Sequence, residues 1–317
     1  MPEKKLRIDS EKRELPIHIH PGFPIGIVTS RFSPDSYDFV SWHWHEEIQY
    51  NVVLRGSFCF RVAGNEYNVE EGDGLFINTE NIHMAEATTP DSEYLFVYFH
   101  PSLLSDRKDS YLYKTYISSL LADESSGSLP LRKINDGDRK VLDGVLQLQS
   151  IYDRGEQGYE LDILSRLILL WKHTLSCAEE KGMASGSSDA LANERLKKIF
   201  SYISLHYGDS VTLEDLSGVV GLSRSECSRF FKFYTGQNLF RYLSWYRVNK
   251  SVELLISTDK SIAEIAYEVG FNSQSYYTKC FTALKKKTPN SVRGEFRNRE
   301  AAARYMEMMD VHAGVVL

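Results

Sequence analysis

The sequence predicts a multidomain protein, with an N-terminal β-barrel that ends in helices and a C-terminal domain that is all-α. Residues 20–100 alternate apolar and polar side chains between short turns, which is typical of half-buried strands. Residues 191–299 repeat apolar side chains at helical spacing. Between these two regions, residues 182–190 read GMASGSSDA, the small and polar composition of a linker.

Length and composition limit the class of protein. The chain has 317 residues, 42% of them hydrophobic, and a net charge of −6. This length predicts about two domains, and the apolar fraction excludes a disordered chain. No apolar run approaches the roughly 18 residues that span a bilayer, and no apolar segment follows the charged N-terminus. We therefore expect a cytoplasmic protein with no membrane partner.

The net charge differs between the two halves. Residues 1–193 carry 19 basic and 30 acidic side chains, residues 194–299 carry 17 and 10, and residues 300–317 carry 1 and 3. The net charges are therefore −11, +7 and −2. A basic segment joined to an acidic one indicates that one domain binds a polyanion, although chance variation also produces such differences.

The basic segment contains an internal repeat. TLEDLSGVVGLSRSECSRFFK begins at residue 212, and SIAEIAYEVGFNSQSYYTKCFT begins at residue 261. Each copy has an N-capping hydroxyl, apolar residues at helical spacing, a glycine (Gly221 or Gly270) and a second capping serine (Ser223 or Ser273). This order predicts two helix-turn-helix motifs, because a helical solenoid needs three or more copies.

The segment between the two copies also has helical spacing. Residues 240–258 read FRYLSWYRVNKSVELLIST, and at 1.5 Å per residue one helix of this length spans about 29 Å. That length is close to the roughly 34 Å of one turn of duplex DNA. We expect this long helix to hold two recognition helices in successive major grooves.

Residues 194–297 resemble the DNA-binding domain of AraC/XylS-type transcriptional regulators. The most similar stretches are IAEIAYEVGFNSQSYYTKCF followed by TPNSVR, SRSECSRFFKFYTG and RYLSWYRVNKSVELL. The resemblance implies a sequence-specific regulator that binds double-stranded promoter DNA and contacts RNA polymerase. The run Lys285–Lys287 departs from the family, which usually has a glycine and a hydrophobic residue before Thr288–Pro289.

The side chains that read DNA should lie opposite the apolar face of each second helix. Arg, Lys, Gln, Ser and Thr can all bond base edges in the major groove. From this chemistry and the resemblance we predict base contacts from Ser225, Ser228, Arg229, Gln274, Ser275, Thr278 and Lys279. We predict phosphate contacts from Ser223, Lys232, Arg247, Ser273, Lys285 and Lys286, although Arg247 could instead hold the two motifs together.

The N-terminal half resembles the cupin barrel that AraC-type regulators often carry. The resemblance depends on His43-x-His45, Gln49, Gly56, Gly72–Asp73 and His83, and on FVYFHPSLL at 96–104. Period two places residues 43, 45 and 49 on one face of a strand. We predict that His43, His45, Gln49 and His83 line an effector pocket.

Two other interpretations of these four residues stay open. His43, His45 and His83 could bind a metal ion, but a neutral Gln stands where a metal site needs a carboxylate, so we expect no metal and no cofactor. The histidines could also be hydrogen-bonded structural groups.

Two helices should follow the barrel, over 136–154 and 158–181. In the second, Leu161, Leu164, Ile168, Trp171 and Leu175 form an apolar stripe. The stripe could pack only on the barrel or also on a partner, and the resemblance implies dimerisation here. The predicted domains are the sensor barrel at 1–135, the helical dimerisation segment at 136–181, the linker at 182–190, the double helix-turn-helix domain at 191–299 and a tail at 300–317.

The resulting functional hypothesis is a homodimeric, ligand-responsive activator of carbon-source genes, with a sugar as the possible effector. One alternative is a DNA-binding regulator whose barrel only dimerises. The other is a metal-dependent cupin enzyme, which Gln49 and the basic repeat argue against. We therefore expect no enzymatic activity.

Overall fold

The computed structural model describes residues 13–14, 18–20, 22–32, 39–121, 127–182 and 190–296. The chain divides into two compact units, which are described separately. The β unit comprises Glu14–Asn193, and the helical unit contains the chain from Glu194 onward. Most of the predicted linker and all of the predicted tail lie outside the described residues.

Two antiparallel sheets form the β unit, as predicted. The first has the strand order β1-β8-β3-β6-β9 and the second has the order β2-β7-β4-β5. Gly56, Gly64 and Gly72, in turns between successive strands, all have positive φ. The strands within the described residues are β1 Ile25–Phe32, β2 Phe39–His43, β3 Ile48–Arg55, β4 Ser57–Val62, β5 Asn65–Glu70, β6 Gly74–Ile77, β7 His83–Ala87, β8 Ser92–Phe99 and β9 Ser128–Leu131.

Alternation along β3 separates two environments. Tyr50 packs with the helices that cover the first sheet, and its hydroxyl shares a hydrogen bond of 2.8 Å with that of Thr174. Gln49 points to the opposite face, because successive side chains of a strand alternate. Aromatic rings pack between the sheets, with centroids 4.9 Å apart for Phe58 and Tyr94 and 5.8 Å apart for Phe60 and Tyr94.

Among the described residues of the β unit, the α-helices that pack beside the sheets are α1 Ser118–Leu121, α2 Asp136–Arg154 and α3 Tyr159–Glu180. The predicted apolar stripe of α3 is only partly buried. The buried face contains Ile163, Leu167, Leu170 and Trp171, whereas Leu161 and Ile168 are 73% and 54% exposed. Leu161 and Ile168 therefore do not pack on the barrel, because the helix turns a neighbouring stripe toward the sheet; their contact with a partner stays a prediction.

Seven helices build the described part of the helical unit, at α4 Ala190–His206, α5 Leu213–Val220, α6 Arg224–Thr235, α7 Leu239–Ser257, α8 Ile262–Glu268, α9 Gln274–Lys285 and α10 Pro289–Phe296. The predicted N-caps are confirmed, since the Thr212, Ser223, Ser261 and Ser273 side chains all accept backbone N–H groups. None of the helices in the described residues is long and apolar enough to cross a bilayer.

The long helix α7 joins the two motifs by packing on both. Near its start, Tyr242 lies with its ring centroid 5.8 Å from Phe231 of α6. Further along, Val248 and Val252 share a buried cluster with Phe281 of α9. Each motif therefore obtains its core from a different half of one helix.

Candidate nucleic-acid interface and histidine cluster

The two recognition helices, α6 and α9, expose matching faces. The pattern of buried, half-buried and exposed residues from Ser223 to Phe240 recurs residue for residue from Ser273 to Asn290, an offset of 50. Within this pattern Cys227, Phe231, Tyr277 and Phe281 are fully buried, as expected for the core side. The same face of each helix therefore remains open for a ligand.

All seven predicted base-contacting residues lie on these open faces. Ser225 and Arg229 are exposed on α6 and Ser228 is half-buried. On α9 the exposed residues are Gln274, Ser275 and Lys279, and the half-buried one is Thr278. The pairs 225/275, 228/278 and 229/279 share the offset of 50, so equivalent positions carry equivalent chemistry: Ser with Ser, Ser with Thr, and Arg with Lys.

The N-termini of the two recognition helices differ in charge. The Ser223 hydroxyl accepts the Glu226 N–H, and the Ser223 N–H donates to the Glu226 carboxylate at 2.9 Å. The Ser223 hydroxyl also donates to this carboxylate, and the hydrogen bonds from the hydroxyl and the backbone N–H hold the pKa of Glu226 below its ordinary value. Ser273 caps α9 with no acidic residue in the first turn. The start of α9 is therefore the better place for a phosphate, because no carboxylate there already occupies the positive end of the helix dipole.

Two of the predicted phosphate contacts, Lys285 and Arg247, have hydrogen-bond partners within the fold. Lys285 is only 5% exposed and donates to the Asn249 amide oxygen at 2.6 Å. Arg247 is half-buried and donates to the carbonyl oxygens of Tyr207 and Asp209, both at 2.7 Å. Its guanidinium carbon also lies 5.9 Å from the Phe271 ring centroid. Both cations therefore have partners within the fold. For Arg247 this agrees with the alternative interpretation, in which it holds the two motifs together. Lys232 and Lys286 are exposed, and their roles stay predictions.

Two exposed side chains near the start of the recognition helices were missed. Arg224 is the first residue of α6 and lies 50 positions before Gln274, so the repeat itself could have identified it. Its guanidinium lies 3.4 Å from the Glu214 carboxylate. Tyr276 is the third residue of α9 and is 55% exposed, although a tyrosine at this position is equally typical of a core residue.

Lys286 caps α9 in the left-handed conformation, with φ 57°, where the first motif has Gly236 with φ 73°. We expect Lys286→Gly to raise the free energy of unfolding of the helical unit by about 0.5–1 kcal/mol, because glycine adopts this conformation without strain. Lys286→Ala keeps the strain and should not stabilise. Both variants should reduce the salt slope of DNA binding by about one if Lys286 contacts phosphate. Hydrogen exchange and binding titrations test both expectations; equal stability of the two variants would contradict the first, and an unchanged slope the second.

The β unit brings the predicted pocket residues together. His43 on β2 pairs directly with His83 on β7, and their ring centroids are 4.1 Å apart. His45 follows the end of β2, with its ring centroid 5.1 Å from that of His83. Gln49 on β3 has its amide oxygen 2.8 Å from His45 Nε2.

These four side chains are almost fully buried, with exposed fractions of 2% for each histidine and 5% for Gln49. Burial lowers the pKa of His45, and burial together with the neighbouring His43 and His45 lowers that of His83 well below the ordinary value. The residues therefore form a closed cluster in which burial disfavours a positive charge on His45 and His83. Their role as an effector pocket stays a prediction.

A more open cleft lies beside this cluster in the β unit. It has a volume of about 480 Å³, and Glu46, next to His45, lies on its wall. Its polar lining includes Thr79, Glu80, His100, Ser102, Ser105, Lys108 and Tyr113. Hydroxyl and charged groups at such density suit a polar small molecule.

Comparisons with known proteins agree with both units. Residues 24–131 match the AraC-like ligand binding domain family, and residues 216–295 match a helix-turn-helix domain family. The chain is 31% identical over 291 residues to the uncharacterized HTH-type transcriptional regulator YdeC of Bacillus subtilis (strain 168), spanning 92% of this chain and 98% of YdeC. The chain belongs to the AraC-type transcriptional regulators. It is therefore a DNA-binding regulator with a ligand-binding domain.

More distant relatives of this AraC-type regulator include the HTH-type transcriptional activator RhaS of Enterobacter sp. (strain 638). The identity is 25% over 252 residues, which cover 79% of this chain and 86% of RhaS. Among solved structures, ToxT from Vibrio cholerae O395 is 13% identical with a TM-score of 0.40, covering 86% of this chain and 97% of ToxT.

Proposed function

We propose that this AraC-type regulator is a cytoplasmic, homodimeric activator of carbon-source genes that responds to a polar small molecule such as a sugar and has no enzymatic activity. Its two recognition helices would enter successive major grooves of a promoter site. Bound there, it would contact RNA polymerase. The observation that carries the proposal is the matched pair of exposed faces on α6 and α9, in a segment of net charge +7.

The activator role is supported by the name of one relative, the transcriptional activator RhaS. The effector is supported by the cleft beside the histidine cluster, since His100, Ser102 and Lys108 could bond the hydroxyls of a sugar. The homodimer is supported by Leu161 and Ile168 of α3, which are seven residues apart and so form an exposed apolar stripe on one helix face.

A second candidate function is a regulator whose barrel only dimerises. The aromatic packing between the sheets favours it, because Phe58, Phe60 and Tyr94 are at most 3% exposed and pack on one another between the two sheets. A thermal-shift screen of sugars on the full chain separates the two functions. A stabilising sugar supports an effector, whereas a dimer that no small molecule stabilises supports the second function.

Base recognition is tested with Arg229→Ala. We expect a loss of about 1–3 kcal/mol on the cognate site, roughly a 5- to 150-fold weaker Kd, and relaxed specificity at one base pair. The matched control is Lys232→Ala, also exposed on α6. Because a phosphate contact carries no sequence information, this control should weaken all sequences equally and reduce the salt slope by about one. Uniform weakening by Arg229→Ala, measured on a library of single-base variants, would refute base recognition by this residue.

A further inference from the structure

The three buried histidines of the β unit are oriented as metal ligands are. The Nδ1 atoms of His43, His45 and His83 lie 2.8, 3.0 and 2.8 Å from the backbone carbonyl oxygens of residues 41, 47 and 81. Since a carbonyl only accepts, each Nδ1 must carry the hydrogen. The Nε2 atom of each neutral ring then presents a lone pair. This is the tautomer and the supporting contact that metal-bound histidines typically have.

The Nε2 atom of His83 has no hydrogen-bond partner among the described residues, although its side chain is 98% buried. An unsatisfied buried polar atom is costly, and native structures seldom tolerate one without a bound ligand or ion. Ligand atoms of His43, His45 and His83 lie within 4.8 Å of one another. Nitrogens bound tetrahedrally to one ion at about 2.1 Å are about 3.4 Å apart, so each ring needs to move by less than about 1 Å.

A carboxylate approaches the same point from outside the barrel strands. Glu14 is 4% exposed, and its carboxylate lies 3.5 Å from His43 Nε2 and 3.9 Å from His45 Nε2. Its backbone N–H donates to the Trp44 carbonyl at 2.7 Å, which fixes the segment beside the end of β2. Burial and the nearby Glu47 raise the pKa of Glu14 to about 8. A cation at this point would stabilise the ionised carboxylate.

Gln49 also presents oxygen to the cluster. Asn51 donates its amide N–H to the Leu75 carbonyl, which leaves the Asn51 amide oxygen to accept from the Gln49 amide nitrogen at 2.7 Å. The Gln49 oxygen therefore faces His45 Nε2 at 2.8 Å. Two acceptor atoms would then face each other unless a proton or a metal ion lies between them or beside them.

We propose that His43, His45, His83 and Glu14 bind a divalent first-row transition-metal ion. Three imidazole nitrogens and one carboxylate oxygen are ligands that Zn²⁺, Fe²⁺, Co²⁺ and Ni²⁺ accept. The carboxylate that position 49 lacks comes from the N-terminal segment, and the Gln49 oxygen is available as a weaker fifth ligand. The sequence-based expectation of no metal considered only carboxylates near Gln49, and Glu14 lies 35 positions earlier in the chain.

Cobalt provides a direct test on the full chain, stripped of metal with a chelator and then titrated with Co²⁺. We expect one ion per chain, visible-region absorption bands from nitrogen and oxygen coordination, and displacement by Zn²⁺. Glu14→Gln removes the charge at constant shape and should weaken Co²⁺ binding at least about tenfold, since even supporting residues of metal sites have effects of that size. His83→Gln should abolish the bands, and it provides the test if Glu14→Gln does not fold.

The matched control is Glu47→Gln. Glu47 is a buried carboxylate of the same region, but it accepts from His18 at 3.2 Å and lies on the Nδ1 side of His45. This variant should bind Co²⁺ nearly as well as the unmodified chain. No bound Co²⁺ or Zn²⁺ in the unmodified chain would overturn the proposal, as would equal affinities of the Glu14→Gln and Glu47→Gln variants. The titration contains no DNA, so its outcome is independent of the proposed regulatory function.

Discussion

Gly270→Ala should destabilise the helical unit by about 2–5 kcal/mol. Gly270 has φ 89°, where a residue with a Cβ is strained by about 1–2 kcal/mol. A Cβ would also lie 2.4 Å from the Tyr207 carbonyl oxygen and 2.8 Å from the Arg247 guanidinium carbon. Displacing these groups adds about 1–3 kcal/mol, the usual cost of overpacking. Amide hydrogen exchange of peptides from α7 to α9 measures the loss in the intact chain.

Gly221→Ala is the control, because Gly221 occupies the same place in the first motif. Its φ is 64°, and nothing lies within 4 Å of the Cβ position. We expect only the conformational strain of about 1–2 kcal/mol. If the two variants lost equal stability, the close contact among Gly270, Tyr207 and Arg247 would have no energetic role.

Lys181→Met should destabilise the β unit by about 2–4 kcal/mol at neutral pH. The Lys181 ammonium lies 2.7 Å from the Asp138 carboxylate, whose side chain is 2% exposed, and it also donates to the Pro130 carbonyl. Removing one partner of a buried ion pair leaves an uncompensated charge, which costs about 3–5 kcal/mol. The expected value is lower because the Lys181 side chain is 29% exposed. Chemical denaturation, followed by amide hydrogen exchange of α2 and α3, measures this loss of stability.

Lys172→Met provides the comparison, since Lys172 is an exposed lysine of α3. A surface substitution of this kind should change stability by no more than about 0.5 kcal/mol. Comparable losses in the two variants would show that Asp138 is stable in the unit without its cation. In the double variant Lys181→Met with Asp138→Asn, part of the lost stability should return, because no charge is left buried.

The helical unit was predictable because its signals are local. In each motif a capping hydroxyl marks the start of a helix and a glycine marks the turn. Gly221 and Gly270 both have positive φ, as a glycine that ends a helix can adopt. The exposed faces of α6 and α9 followed from the apolar spacing alone, because Phe231 and Phe281 fix which side is buried.

Contacts between distant parts of the chain were not predictable in the same way. Lys285 looks like a surface cation in sequence, and only the packing of α9 on α7 places it against Asn249, 36 residues away. Arg247 finds its acceptor at Tyr207, 40 residues away. Glu14 is held beside the histidines by a backbone hydrogen bond to Trp44, 30 residues away. No regular spacing in the sequence predicts that contact.

The bracing of α7 by Arg247 has a consequence for the operator. A helix of 19 residues spans about 28 Å, and Arg247 ties its middle to Tyr207 and to the turn of the second motif at Phe271. One base pair inserted between the half-sites would shift one of them by about 3.4 Å and turn it by about 35° around the duplex axis. Because Arg247 connects α7 to both motifs, the two recognition helices cannot easily rotate relative to each other to follow that change. If the two recognition helices enter successive major grooves as proposed, we therefore expect the distance between half-sites to contribute to recognition alongside the identity of the bases.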